Sequence, residues 1–253
     1  MTKQKIAKII LSKVLKMPIN KYLNYIKKIT EELIESFSSH GSDKKIYAKV
    51  MIKEDVLCFE VLDERLKNIY PTENCTEDKI ICSLKWINTR NKFSFHILKS
   101  LLDYQSKYWF SGKETDLKPL TLRQFLSLYP FQYLEQSRLS RLIPNLKVLS
   151  LKNHFINLGS LFVSEKKYHS YLIKEIVKNA ENALKDKNIQ YLSAQKGVHL
   201  SLRTICNCRN LFNIPSYRER AAYSYEKDVN FSSYIIFSKK TLIKFQLKQE
   251  FMN

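Results

Sequence analysis

Arg203, Asn207 and Asn210 stand four and three residues apart in SLRTICNCRNLF (201–212). On a helix they fall within roughly 60° of one another. An arginine fork can donate two bonds to guanine O6 and N7, and an asparagine amide can pair with adenine N6 and N7, so this face has the chemistry of base reading. Leu202, Ile205, Cys206, Cys208 and Phe212 share the other side, which the spacing assigns to the core. Ser201 is placed to cap the helix start. Thr204 and Arg209 flank the polar face and are expected to reach phosphates. The bland alternative is a solvated helix face without acids.

Other chemistry is thin. His40, His96, His154, His169 and His199 are scattered, and no H-E-x-x-H, paired-aspartate cluster or phosphate-cradling glycine loop occurs. The cysteines are Cys58, Cys75, Cys82, Cys206 and Cys208. Their number is odd and none forms a C-x-x-C pair, so buried reduced thiols are expected and zinc is not. No catalytic residue, no metal and no cofactor is expected, and the protein is read as a non-enzyme; a nuclease would be revealed by cleavage of DNA in magnesium.

Charge points the same way as the helix. Forty-three Lys and Arg against 24 Asp and Glu give the 253-residue chain a formal charge of +19. The excess is spread along the sequence, a balance that favours polyanions such as DNA, RNA or an anionic membrane. No apolar run reaches the length of a membrane span, so no membrane partner is expected. MTKQKIAKIILSKVLK has lysines every three or four residues and reads as an amphipathic helix, not a signal peptide.

Four glycines and six prolines are too few turn residues for a β-sandwich, so the fold class expected is mainly α, a multi-domain helical protein. Residues 3–15 and 18–38 carry helical apolar spacing, broken at Met17-Pro18-Ile19. Ile46 to Leu62 alternates and is β-branched, with Lys53-Glu54-Asp55 as its turn, which predicts a small β-hairpin in the N-terminal third. Helices return from about Cys75. GKETDLKPLT is a plausible boundary. Thr121 with Gln124 forms a capping-box signature opening a helix-turn-helix that ends near Pro144. A second follows at 188–212, with Gly197 in its turn. Two such units in one basic chain form a specific combination.

Ser201 to Arg209 resembles the RpoN box, signature of the sigma-54 family of bacterial RNA polymerase factors, whose pattern is A-R-R-T-V-A-K-Y-R-E followed by I-P-S. Arg203, Thr204, Ile205 and Arg209 fit it, and Ile214-Pro215-Ser216 stands at the right distance. Leu184, Ile189, Leu192, Ala194, Gly197 and Ser201 fit the preceding helix. LEQSRLSR (134–141) is similar to L-H-E-S-T-V-S-R, the opening of the first recognition helix, with Ser137, Ser140 and Arg141 retained and Arg138 at the usual threonine. Pro119 to Arg123 matches P-L-x-L-R. Gln105, Trp109 and Gly112 echo Q-x-x-F-F-x-x-G, and Arg90-Asn91 matches R-N-x-T. The hairpin with LDERLKNIY and the stretch LKMPINKYLNYIKKI resemble the end of the core-binding region. The resemblance covers about residues 5–222.

Some positions depart from the pattern. The box carries Leu202, Asn207 and Cys208 where the family has Arg, Lys and Tyr, and each lost charge weakens phosphate attraction. Pro144 should end or kink the first recognition helix. The family's Gln- and Leu-rich first region, which activator ATPases engage, has no counterpart here, so an activator ATPase stays an open partner.

The resemblance implies a cytoplasmic, nucleoid-associated transcription initiation factor whose partners are core RNA polymerase and double-stranded promoter DNA with GG and GC elements. It implies DNA-binding roles for Arg203, Thr204, Asn207 and Arg209 at the GG element and for Ser137, Arg138, Ser140 and Arg141 near the downstream element. The expected division is 1–85 for part of the core-binding region, 86–165 for the first helix-turn-helix, 166–222 for the RpoN-box domain and 223–253 for a tail without assigned role. A sequence-reading regulator that has lost polymerase binding, and a decayed gene product, remain alternatives.

Overall fold

The structure, a computed structural model, describes residues 3–31, 46–70, 78–180 and 182–223. The described residues divide into two compact units, one ending at Val163 and the other beginning at Ser164. The mainly helical expectation holds in both. The end of the expected 18–38 helix, Cys75, and the strand-like runs of the C-terminal tail lie outside the described residues.

The first unit opens with α1 (Lys3–Lys16) and α2 (Ile19–Glu31). Pro18 separates them because its ring cannot sit inside a continuous helix; its carbonyl accepts from the Tyr22 N–H at 2.9 Å and so starts α2. The freed carbonyls at the end of α1 need donors. Arg90, from the long helix α3 (Asp78–Tyr104), supplies them. Its side chain is 1% exposed; Nη1 donates to Val14 O and Nη2 to Met17 O at 2.8 Å, while the guanidinium stacks on the Tyr22 ring at 3.8 Å. Burial pushes the Arg90 pKa down to about 10 and pushes the Tyr22 and Tyr47 hydroxyls up. Neighbouring Asn91 accepts from Tyr22 Oη at 2.8 Å and donates to Lys67 O at 2.6 Å. The Arg90-Asn91 pair therefore pins α2 and the segment after the hairpin onto α3.

The hairpin forms as expected from β1 (Ala48–Lys53) and β2 (Val56–Val61), antiparallel with Lys53 opposite Val56. Glu54 and Asp55 make the two-residue turn with φ of 49° and 62°, the left-handed pair whose twist matches the strands. The alternating pattern did not reveal two further strands. β3 (Lys147–Leu149) adds parallel to β1, and β4 (Phe155–Asn157) pairs antiparallel with β3, giving the order β2-β1-β3-β4. Three residues are too few to show a period.

After α3 comes the short α4 (Ser106–Ser111), ended by Gly112 at φ 70°. Gln105, fully buried, donates to Lys118 O at 2.8 Å and Leu161 O at 3.1 Å and accepts from the Lys118 N–H at 2.8 Å. It satisfies backbone groups of Lys118, in an irregular segment, and of Leu161, at the end of a 3₁₀ turn. The first helix-turn-helix follows as α5 (Leu122–Leu128) and α6 (Gln136–Leu142). The capping box is present: Gln124 N–H donates to Thr121 Oγ1 at 3.2 Å and Thr121 N–H to Gln124 Oε1 at 2.8 Å. α6 ends at Leu142, and Pro144 falls in the 3₁₀ turn Ile143–Asn145 beyond it.

The second unit packs α7 (Glu165–Lys178), α8 (Asp186–Gln195), α9 (Leu202–Leu211) and α10 (Tyr217–Tyr223). Its core gathers Ile173 and Val177 of α7, Ile189 of α8, Ile205 and Cys208 of α9, and the loop residues Leu200 and Ile214. α8 stops at a Schellman-type end: Gly197 (φ 79°) donates to Ala194 O and Val198 to Ser193 O, both at 2.9 Å. Of the cysteines described, Cys208 is buried, Cys58 and Cys206 are half-buried, and Cys82 is exposed, against the expectation that all are interior.

Candidate nucleic-acid interface

In the second helix-turn-helix, α8 braces α9. Gln190 Nε2 donates to Leu200 O at 2.7 Å, fixing the turn before α9. Ser201 caps α9 by accepting from the Thr204 N–H at 3.1 Å. Arg203, Asn207 and Asn210 all lie on the exposed face, so the structure brings these three expected base-reading side chains together on one surface. Thr204 is half-buried, and its Oγ1 is 2.8 Å from Ser201 Oγ.

Two placements differ from the expectation. Leu202, assigned to the core side, is 42% exposed. Arg209, expected at a phosphate, is only 5% exposed. Its Nη2 donates to Asp186 Oδ2 at 3.0 Å, and its Nη1 donates to Pro215 O at 2.9 Å and Ile214 O at 3.1 Å. Nε stands 3.0 Å from Asp186 Oδ1, an ion-pair distance without hydrogen-bond alignment. A guanidinium so committed would have to abandon Asp186 to meet a phosphate. At 100° per residue Arg209 falls about 40° from Ile205, so the wheel itself carried the signal; charge alone argued for the surface. The Ile214-Pro215 carbonyls explain why the tripeptide follows at this distance: they complete the arginine's ligation.

Asp186 and Arg220 are the residues the sequence reading missed. Arg220, buried on α10, donates to Leu184 O at 2.7 Å, and its Nε and Nη1 have no hydrogen-bond partner. Burial lowers its pKa, as does nearby Arg209, with Asp186 opposing. Asp186 pairs directly with Arg209, and its charge offsets part of the Arg220 shift.

In the first helix-turn-helix, Leu139 and Leu142 of α6 point inward. Ser137 and Ser140 are exposed, with Ser140 Oγ donating to Ser137 O at 3.1 Å. Arg138 and Arg141 are half-buried on the flank, and Arg138 Nη1 donates to Tyr133 O in the turn. All four expected residues lie on this one short helix. Among the described residues no group of His, Cys, Asp or Glu could hold a metal ion, and no helix is long and apolar enough to cross a membrane.

A basic chain carrying two such units has the build of a DNA-binding factor. The family model for the sigma-54 DNA-binding domain matches residues 70–222. That is more than half of the chain, which therefore belongs to the sigma-54 family, a family of DNA-binding transcription factors. Among solved structures, ten chains match. One is described as the crystal structure of Aquifex aeolicus sigmaN bound to promoter DNA; it is 23% identical with a TM-score of 0.48, over 74% of this chain and 61% of that one. The chain thus spans less than two thirds of that protein's length. No curated protein sequence matches.

Proposed function

We propose that the protein is a sigma-54-type initiation factor that binds core RNA polymerase and directs it to promoters with GG and GC elements. The observation that carries the reading is the exposed face of α9, where Arg203, Asn207 and Asn210 converge beside a capped N-terminus within the family-matched segment. Arg203 reads guanine at the GG element, with Asn207 beside it and Thr204 near the backbone. Arg209 acts indirectly, as the strut that sets α9 against α8. Ser137, Arg138, Ser140 and Arg141 face the downstream element. Base contacts supply preference and the basic surface supplies most of the affinity.

In this reading residues 1–85 contact core polymerase, 86–165 carry the first reading helix, 166–222 carry the second, and 223–253 have no assigned role. The factor works in the cytoplasm, on the nucleoid. An activator ATPase is an open partner.

The family match is to the DNA-binding part and leaves residues 1–69 outside it. It is equally compatible with a second reading, a promoter-binding regulator without polymerase. The experiment is binding of the purified chain to core polymerase, then of the mixture to an intact GG/GC duplex and a scrambled one at two salt concentrations. Core binding with preference for the intact duplex supports the initiation factor. Preference without core binding leaves the regulator, and sequence-blind binding rejects both.

A further inference from the structure

α1 lies outside the family-matched segment, yet it packs against α6, the second helix of the first helix-turn-helix. Between them runs a groove of about 500 Å³, with Lys8, Lys13 and Lys16 on the α1 wall and Arg138, Arg141 and Glu135 on the α6 wall. α1 contains no acid at all. Among the described residues no carboxylate pairs with any of the five cations, and Glu135 is the one acid in the lining.

Like charges gathered on one concave surface repel each other, and walls of low dielectric focus their field. Such a surface is stabilised by a polyanion whose charges repeat along its length. The groove lies between the flanks of two touching helices, which suits a single sugar–phosphate strand better than the full width of a duplex. Ser137 of α6 is both exposed and part of the lining, so a strand held there runs along the edge of the surface that α6 presents to bases.

We propose that α1 is the backbone-holding wall of the first helix-turn-helix: Lys8, Lys13 and Lys16, with Arg138 and Arg141, grip the phosphates of one DNA strand. The proposal rests on the reading above that α6 faces DNA.

The test compares the full chain with the triple variant Lys8→Gln, Lys13→Gln, Lys16→Gln. The control is Lys21→Gln, Lys49→Gln, Lys53→Gln, three exposed lysines of the same unit outside the groove. Affinity for the intact and scrambled duplexes is measured across a salt series, with circular dichroism to check folding. The groove variant is expected to make the plot of log K against log salt shallower by about 2–3 on both duplexes, with the ratio between duplexes unchanged. The control should shift it by less than about 1. Equal slopes for the two variants overturn the proposal.

Independently of those substitutions, a photo-crosslinking benzoylphenylalanine at Ile9, an exposed residue of the lining, should label one DNA strand. Labelling of a polymerase subunit in place of DNA, or of neither, also overturns it. If the wild type shows no preference for the intact duplex, the promoter reading falls while the salt slopes still decide the groove.

Discussion

Arg209 of α9 and Asp186 of α8 form an ion pair in the second unit, with Nη2 donating to Oδ2 at 3.0 Å and Nε 3.0 Å from Oδ1. The pair joins the first helix of the helix-turn-helix to the second. Through Arg209 Nη1 it also holds the Ile214 and Pro215 carbonyls that lead to α10.

Removing one partner of a buried pair leaves an uncompensated charge. Asp186→Ala should therefore destabilise the second unit by about 2–4 kcal/mol, less than for a fully buried pair because the Asp186 side chain is 26% exposed. The double variant Asp186→Leu, Arg209→Met should recover most of that loss. Urea unfolding checks both. A single variant that unfolds at the wild-type midpoint would show that the pair contributes little.

Arg203 is exposed and free of any described ion pair, so its substitution should leave the fold intact. Arg203→Ala should cost about 1–3 kcal/mol at the guanine element and relax preference there. Titration against the GG duplex and a scrambled duplex decides it: an unchanged ratio of affinities removes Arg203 from base reading.

The α9 start depends on one hydroxyl. Ser201→Ala leaves the Thr204 N–H without its acceptor and should cost about 0.5–2 kcal/mol, whereas Ser201→Asp should retain the cap. Thermal unfolding of the pair separates loss of the cap from a general effect of substitution at this site.

The first unit should show an acid-sensitive joint. Asp63 is raised by burial, but bonds from the Arg65 side chain and N–H outweigh this and hold its carboxyl below the usual carboxylate value. A folded pKa below the unfolded one adds stability above the unfolded value, about 4, and that stability is lost as pH falls through the folded pKa. Asp63→Asn should therefore narrow its stability gap to wild type as pH drops from 5 toward 2. A gap that stays constant over this range would remove Asp63 from the acid response.

Much of the architecture was legible in local chemistry. The hairpin could be read from alternation and a two-residue turn, the start of α5 from Thr121 and Gln124, and the break after α1 from Pro18. The polar face of α9 followed from spacing alone, and family membership from motif residues in order along the chain. Apart from the motif order, each of these signals lies within a few residues of sequence, where periodicity and capping act.

The remaining features needed distance in space. β3 and β4 are too short to carry a period; β3 forms on the edge that β1 offers, and β4 on the edge of β3. Arg90 and Arg209 are both charged, which argues for solvent, yet both are buried because carbonyls or a carboxylate from remote segments meet them. The lysines of α1 look like a solvated face until α6 brings two arginines opposite them. By itself the sequence determined which helices form and which side chains could read a base. The tertiary structure decided which cations are spent inside and which remain at the surface, because a charge is kept in the interior only where distant partners compensate its lost hydration.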